Sequence, residues 1–269
     1  MSADGLLPVV GSVLNAFFLV AGVYIYVSLL RQIGARTPLV EAPPIRVFGW
    51  PEAILATLLT TFFLLTISGP AHRVPRMENR DLIASAALTI GLLLALAAFL
   101  RLRRFDLNSL GGFSKIGFFR TAITGGVLIL AAYPLIFLAD VVTQRLLRRE
   151  PDKQAIVEMF SQSTTIQQRI LIIVLAVALA PIAEEFIFRF FLYGVAKRYF
   201  GRVIAIVASS LLFAAVHAHL PSFAPLFVLG SCFAIAYEWS GSILVPMMMH
   251  TLFNAFTLTA LAFPESVRQ

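Results

Sequence analysis

Long runs of uncharged, apolar residues alternate with short polar segments along most of the chain. A helix needs about 20 mostly apolar residues to cross the hydrocarbon core of a bilayer. Four runs in the first half are long enough: Gly5–Leu30, Ala53–Ala71, Leu82–Leu100 and Thr121–Ala139. Each of these runs predicts one membrane-spanning helix.

The second half predicts about four more spans, although its apolar runs are interrupted. Ile170–Ala183 is uncharged, and after a pair of glutamates the chain becomes mostly apolar again. Val203–Tyr237 has no Asp, Glu, Lys or Arg and is too long for one crossing. Its break is predicted at Pro221, because proline restricts the residue before it. With Trp239–Pro264 as the last span, we predict an all-α, polytopic membrane bundle of about eight helices, or seven if one broken run is re-entrant.

Composition supports a membrane protein and excludes a soluble fold, a disordered chain and a disulfide scaffold. Of the 269 residues, 59% are hydrophobic and 13% are charged, and the mean hydropathy is +0.88. Soluble domains carry about 45–50% apolar and about 25% charged residues. The single cysteine, Cys232, excludes an intrachain disulfide and a cysteine-based metal site. Because the first residues lack a basic region, Gly5–Leu30 is expected to be a span rather than a cleaved signal peptide.

The charge balance is basic, with 21 Lys and Arg residues against 14 Asp and Glu residues. The basic residues cluster at segment ends such as Arg101–Arg104 and Arg145–Arg149, where they would meet lipid phosphates. We therefore expect membrane lipids and no nucleic acid as partners. The expected location is a prokaryotic cell membrane. An N-terminus outside the cell would place 12 of the 21 basic residues inside, which is too weak a bias to fix the orientation.

The chain divides into two predicted regions. Residues 1–168 would hold four spans and a long amphipathic loop, and residues 169–262 would form a catalytic core of about four spans. The loop, Asp140–Arg169, is the longest polar stretch. It is expected to contain a surface helix whose apolar side carries Ile156, Val157, Met159 and Phe160.

Candidate chemistry is confined to the second half, since the charges of the first half are expected in loops or at span ends and none is expected to be buried. A charged residue at the centre of a membrane helix costs about 2.5–3.5 kcal/mol. Arg189 lies four residues after Glu185, which favours an ion pair and leaves Glu184 free for proton transfer. Pro181 should kink this helix and free a carbonyl. The alternative is that both glutamates pair with basic groups and only hold the bundle together.

Three other polar positions lie in apolar helices of this half. His217 lies within an apolar run, where it is either a site residue or a core histidine bonded to a carbonyl. His250 and Asn254 share a helix face and form either interhelical hydrogen bonds or a clamp for a carbonyl oxyanion. His219 and Glu238 lie near span ends and are expected to be structural.

Three motifs resemble, in order and spacing, those of the CPBP (CAAX protease and bacteriocin-processing, or Abi) family of intramembrane proteases. Glu184–Arg189 resembles its EExxxR motif, Phe213–His217 its FxxxH motif and His250–Asn254 its HxxxN motif. The resemblance covers about Arg169–Leu261. Family members vary widely in the region that corresponds to Met1–Gln168.

The resemblance implies the fold of CAAX prenyl endopeptidases, with a cavity in the membrane that opens to water. It implies an intramembrane endopeptidase acting on a peptide or membrane protein, with or without a lipid attached. Carried over to this sequence, the activating pair would be Glu184 and His217, the oxyanion pair His250 and Asn254, and the supporting pair Glu185 and Arg189. No cofactor is expected. Two histidines with one glutamate are nevertheless a zinc-binding set, so the metal requirement stays open.

Two other functions fit the same buried polar residues. A non-proteolytic membrane scaffold or immunity protein would not need Glu184 for its activity. A proton-coupled transporter would use Glu184 as a proton relay and would release no cleaved product.

Overall fold

The computed structural model describes residues 3–36, 46–67, 78–147, 155–163 and 165–262, with the side chains of 3–9 and 155–158 outside the description. The described chain is helical almost throughout. Its helices are α1 (Ala3–Ala35), α2 (Trp50–Ile67), α3 (Asn79–Leu102), α4 (Leu107–Gly111), α5 (Phe118–Leu147), α6 (Ala155–Gln162), α7 (Ile166–Val174), α8 (Ala180–Glu185), α9 (Tyr193–Val216), α10 (Phe223–Ser240) and α11 (Leu244–Ala262). Two π-helical segments, Leu175–Leu179 and Phe186–Leu192, join α7 to α8 and α8 to α9.

Seven helical stretches of the described chain are long and apolar enough to cross a membrane. The longest, Ile166–Val216, has 51 residues and therefore exceeds one crossing. It turns at Gly201, whose φ of 79° and ψ of 172° are open to glycine because it has no Cβ. Divided there, the bundle has eight segments, which confirms the predicted all-α membrane architecture.

The predicted spans are present where the chain is described, but α5 continues to Leu147, past the predicted end at Ala139 and into the segment predicted as a loop, since residues 140–147 contain no proline or glycine that would end a helix. The four spans of the first half correspond to α1, α2, α3 and α5, and the break predicted at Pro221 is a short 3₁₀ turn between α9 and α10. Within the predicted amphipathic loop, α6 buries Phe160 and partly buries Met159. Ile156 and Val157 belong to the same helix, but their side chains lie outside the description. The division at residue 168 stays a prediction.

The bundle has one end, here called the basic end, where several helix termini are tied together. It comprises the ends of α1, α3 and α10, the starts of α2, α5 and α11, and the turn at Gly201. Arg36 donates to the carbonyl of Trp239 at 2.6 Å, and Arg202 donates to the carbonyl of Ile33 at 3.2 Å. These bonds satisfy carbonyls that the helix termini leave without intrahelical partners.

Glu52 overturns the expectation that no ionisable group of the first half is buried. It lies at the start of α2, a span end as predicted, yet its side chain is fully buried. Its carboxylate accepts hydrogen bonds from Arg103 at 2.8 Å and from the backbone N–H of Gly49 at 2.7 Å. The prediction was wrong because the end of α3 and the chain before α2 enclose this position.

Candidate active site

The helix that carries the two glutamates is irregular on both sides of them. In the π-helical segment before α8, the N–H of Ala180 donates to the carbonyl of Leu175, five residues back. A second π-helical segment follows Glu185 directly. Such wide turns are rare and occur often at functional sites, where they change the direction of side chains.

Pro181 and Asn254 together explain how this irregular helix is bonded to α11. In the five-residue register, residue 181 would donate to the carbonyl of Ala176, but proline has no N–H. The side-chain amide of Asn254 donates to that carbonyl at 2.7 Å instead. The carbonyl that Pro181 was predicted to free is therefore bonded by a residue of the HxxxN motif.

A buried polar cluster centres on Glu185. Its Oε1 atom accepts from Arg189 Nη1 at 3.0 Å and lies 2.9 Å from His250 Nδ1. Glu185 and Arg189 are completely buried, and His250 is 3% exposed. Arg189 also donates through Nη2 to the carbonyl of Gly230 at 3.2 Å. The predicted Glu185–Arg189 pair is thus present, with His250 as a third member.

Two phenylalanine rings enclose this cluster. The guanidinium of Arg189 lies 4.1 Å from the centre of the Phe213 ring and 5.1 Å from that of Phe233. The ring of His250 stacks on Phe233 at 5.0 Å between centroids and meets Phe213 edge-on. A Cβ atom on Gly230 would lie 3.1 Å from both Arg189 and Phe213. Sequence reasoning missed Phe233, because no motif distinguishes it among the 24 phenylalanines.

Glu184 faces the other nitrogen of His250. Its Oε2 atom lies 3.9 Å from His250 Nε2, which is too long for a direct hydrogen bond. This oxygen is buried and accepts no hydrogen bond from any described residue, although the side chain as a whole is 30% exposed. His250 therefore lies between two carboxylates, one bonded and one with an unpaired oxygen.

His217 is positioned by the last turn of α9. Its Nδ1 atom lies 2.7 Å from the carbonyl of Phe213, and the two rings are in edge contact. When Nδ1 carries the proton for that bond, Nε2 has its lone pair free. Phe213 contacts both His217 and His250, so the FxxxH and HxxxN motifs meet at this ring. The next residue, Ala218, has a φ of 49°, a left-handed conformation that is uncommon for alanine.

The two residues expected to be structural have structural partners. His219 Nδ1 lies 2.8 Å from the hydroxyl of Ser222. Glu238 binds Tyr193, Lys197 and Arg202 at 2.6–2.8 Å. Glu238 thereby joins α9 to α10 at the basic end.

The residues of the predicted site do not fit a zinc site as they are placed. Among the described residues, no group of three His, Cys, Asp or Glu side chains is gathered to hold a metal ion.

Comparison with known proteins singles out this part of the chain. Residues 166–256 match the family model described as type II CAAX prenyl endopeptidase Rce1-like. The membrane-embedded CAAX protease MroQ of Staphylococcus aureus (strain USA300) is 31% identical over 98 residues, which are 34% of this chain and 40% of that protein. The chain thus covers less than half the length of this relative. No solved structure matches.

The matched region contains all three motifs and the whole buried cluster around Glu185. It also contains Pro181 and both π-helical segments. Residues 166–256 of this chain are thus similar to the CPBP family of CAAX-protease-like membrane proteins.

Proposed function

We propose that this protein is an endopeptidase that hydrolyses a peptide bond within or next to the membrane. The observation that carries the proposal is the position of His250 between Glu184 and Glu185 in an apolar interior. Glu185 and Arg189 are paired, but the buried Oε2 atom of Glu184 has no hydrogen-bond partner among the described residues, which is costly and makes a purely passive role for Glu184 unfavourable. The similarity of residues 166–256 to CAAX prenyl endopeptidases supports the same reaction class.

Glu184 is proposed to activate the attacking water. Its buried, unpaired Oε2 atom can accept a hydrogen bond from that water and then take its proton. His217, with Nε2 free, is proposed to hold the second hydrogen of the same water. The resemblance to the EExxxR and FxxxH motifs assigns the same two residues.

His250 and Asn254 are proposed to stabilise the oxyanion. His250 can donate from Nε2 only when both ring nitrogens carry protons, because Nδ1 already faces Glu185. Glu185 thus holds the ring in the orientation that this donation requires. Asn254 uses one N–H for the carbonyl of Ala176 and has a second N–H for the oxyanion. Two aligned donors in a dry site stabilise a developing negative charge strongly.

The proposed reaction has two steps. Water loses a proton to Glu184 while its oxygen bonds to the carbonyl carbon, and the negative charge moves to the carbonyl oxygen. The intermediate then re-forms the carbonyl and expels the amine, which takes the proton back from Glu184. The products are one carboxylic acid and one amine, which become a carboxylate and an ammonium group when the acid's proton passes to the amine, and Glu184 is again ionised. None of these steps uses a metal ion.

The substrate is proposed to be a peptide or a membrane protein. The S. aureus relative is named a CAAX protease, which makes a C-terminal lipidated peptide one substrate to test. Unmodified peptides of the same sequence belong in the same assay.

The test compares new peptide termini in membranes containing wild-type protein, Glu184→Gln, His217→Gln and His250→Gln. His219→Gln and Glu78→Gln are matched controls, since His219 lies two residues from His217 and Glu78 is exposed. Mass spectrometry should detect termini that are produced by the wild type and both controls and are absent from the three site variants. Identical termini in all six samples would overturn the proposal.

The same variants separate the rival functions. A scaffold would retain its cellular activity in Glu184→Gln, and a transporter would give proton-linked flux in proteoliposomes without any new terminus. Parallel assays with a chelator and with added zinc test the metal requirement, and we expect cleavage to continue in the chelator.

A further inference from the structure

A cavity of about 370 Å³ opens at the basic end, away from the buried cluster. It lies between the start of α5, the loop before it and the end of α10. Two cationic side chains, Lys115 and Arg120, line it together with Trp239 and Ser240. None of these residues takes part in the proposed reaction.

The walls of this cavity are fixed by bonds between elements. The hydroxyl of Tyr237 donates to the carbonyl of Leu110 at 3.1 Å, and the N–H of Ile243 donates to the carbonyl of Gly111 at 2.9 Å. Gly241, with a φ of 64°, forms the turn between α10 and α11. A Cβ atom there would lie 3.3 Å from Lys115 Nζ. The turn therefore brings its backbone close to the lysine at the cavity.

The two cations have no counter-charge in the described chain. Elsewhere at the basic end, Arg103 pairs with Glu52, and Lys197 and Arg202 pair with a shared glutamate. The side chains of Lys115 and Arg120, by contrast, make no ion pair or hydrogen bond with any described residue. A cavity with two positive groups and a tryptophan ring at its rim fits a ligand that carries a negative charge.

A stripe of exposed apolar side chains on α5 begins at the cavity. Ile123 lines the cavity and is 66% exposed, and Val127 and Leu130 are exposed on the same face of α5. Their spacing of four and then three residues places them one above the next along the helix. The ligand should therefore have an apolar chain attached to its charged group.

We propose that this cavity binds the phosphate of an anionic phospholipid headgroup, with an acyl chain lying along Ile123, Val127 and Leu130. Lys115 and Arg120 would contact the phosphate, and Trp239 would lie at the level of the headgroups, where tryptophan is enriched. This binding does not depend on the proposed proteolysis, so either proposal can fail alone.

The test uses Trp239 as the reporter. The chain has two tryptophans, so Trp50→Phe leaves Trp239 as the sole emitter. This variant is placed in phosphatidylcholine nanodiscs that contain increasing fractions of brominated phosphatidylglycerol, and brominated phosphatidylcholine serves as the neutral comparison. We expect half-maximal quenching of Trp239 at a clearly lower fraction of brominated phosphatidylglycerol than of brominated phosphatidylcholine. Equal quenching by the two lipids would overturn the proposal.

Charge-removing variants test the two cations. Lys115→Gln and Arg120→Gln should each reduce the preference for the anionic lipid by about five-fold, the usual contribution of one basic residue near an anionic surface. Arg101→Gln and Arg198→Gln remove exposed, unpaired cations outside the cavity and should leave the preference unchanged. An equal loss of the lipid preference in all four variants would indicate general attraction between the basic surface and anionic lipids, and it would contradict a defined site.

Competition with inorganic phosphate tests whether the cavity binds a free phosphate ion or the phosphate of a lipid headgroup. Because the acyl stripe supplies part of the binding, millimolar phosphate should not relieve the quenching by brominated phosphatidylglycerol. Complete relief would mean that the cavity takes a free phosphate, and the lipid proposal would be wrong. Thermal unfolding of each variant confirms that the compared proteins are folded.

Discussion

At the scale of single residues, the site depends on one carboxylate that serves two partners. Glu185 accepts from Arg189 and His250 through the same oxygen. The sequence predicted the first partner, because residues four apart on a helix are neighbours. It could not predict the second, since His250 lies 65 positions away and its approach depends on how α11 packs.

Separating the buried pair should destabilise the protein strongly. Arg189→Gln leaves Glu185 buried with an uncompensated charge, which costs about 3–5 kcal/mol. Glu185→Gln should be similarly costly, and the double variant should be more stable than either single variant. Thermal unfolding in detergent measures this, with the exposed Arg198→Gln expected within about 0.5 kcal/mol of wild type. Additive losses in the double variant would contradict a coupled pair.

The left-handed conformation of Ala218 predicts a substitution that stabilises the protein. Alanine pays about 1–2 kcal/mol in this region and glycine does not, although glycine loses more entropy on folding. Ala218→Gly should therefore stabilise the protein by up to about 1 kcal/mol, and Ala218→Val should destabilise it. A lower melting temperature for Ala218→Gly than for wild type would show that this backbone conformation is wrong.

At the scale of elements, the sequence predicted the spans well and their internal irregularities poorly. Span lengths follow from long charge-free runs, and Pro221 marked the break between α9 and α10. The two π-helical segments could not be predicted, because helices that are apolar on all sides show no periodicity to reveal a change of register. The burial of Glu52 was missed because it depends on how the end of α3 packs beside the start of α2.

Asn254 bonds α11 to the irregular helix and also has a proposed role in binding the oxyanion. The sequence left two alternatives for it, interhelical bonding and oxyanion binding. The bond to the Ala176 carbonyl supports interhelical bonding. The side-chain amide has one more N–H, which can still bind an oxyanion. The two alternatives are therefore compatible.

A double-mutant cycle tests this bond between α11 and the irregular helix. Asn254→Ala should cost about 1–3 kcal/mol of stability, because it leaves a buried carbonyl unpaired. In a Pro181→Ala background, the restored N–H can reach the Ala176 carbonyl, so Asn254→Ala should cost less. Unfolding in detergent supplies the four values. An equal cost in both backgrounds would contradict the explanation given for Pro181.

At the scale of the whole molecule, charge is distributed unevenly between the two ends. Among the described residues, the basic end and its adjoining segments hold eleven cationic residues against the acidic residues Glu52, Asp106 and Glu238. Those cations are Arg31, Arg36, Arg46, Arg101, Arg103, Arg104, Lys115, Arg120, Lys197, Arg198 and Arg202. Away from this end and the buried cluster, the described side chains include three basic ones, Arg80, Arg145 and Arg169, and three acidic ones, Glu78, Asp81 and Asp140.

This asymmetry predicts the orientation that the sequence alone left open. Basic segments favour the cytoplasmic side, and anionic lipids of that leaflet attract them. In a Cys232→Ala background, Ser114→Cys marks the basic end and Glu78→Cys the opposite end of α3. A membrane-impermeant maleimide should label only Glu78→Cys in intact spheroplasts, and both after permeabilisation. The reverse pattern would contradict the predicted orientation.

The central claim is that Glu184 activates water for peptide-bond cleavage. Its most direct test is the initial cleavage rate of purified Glu184→Gln against wild type, in the same nanodiscs and at equal folded fraction. General acid–base catalysis contributes about 10²–10⁴-fold, and the proposal predicts a loss of at least about 100-fold with unchanged thermal stability. A folded Glu184→Gln that cleaves within about three-fold of wild type would contradict it.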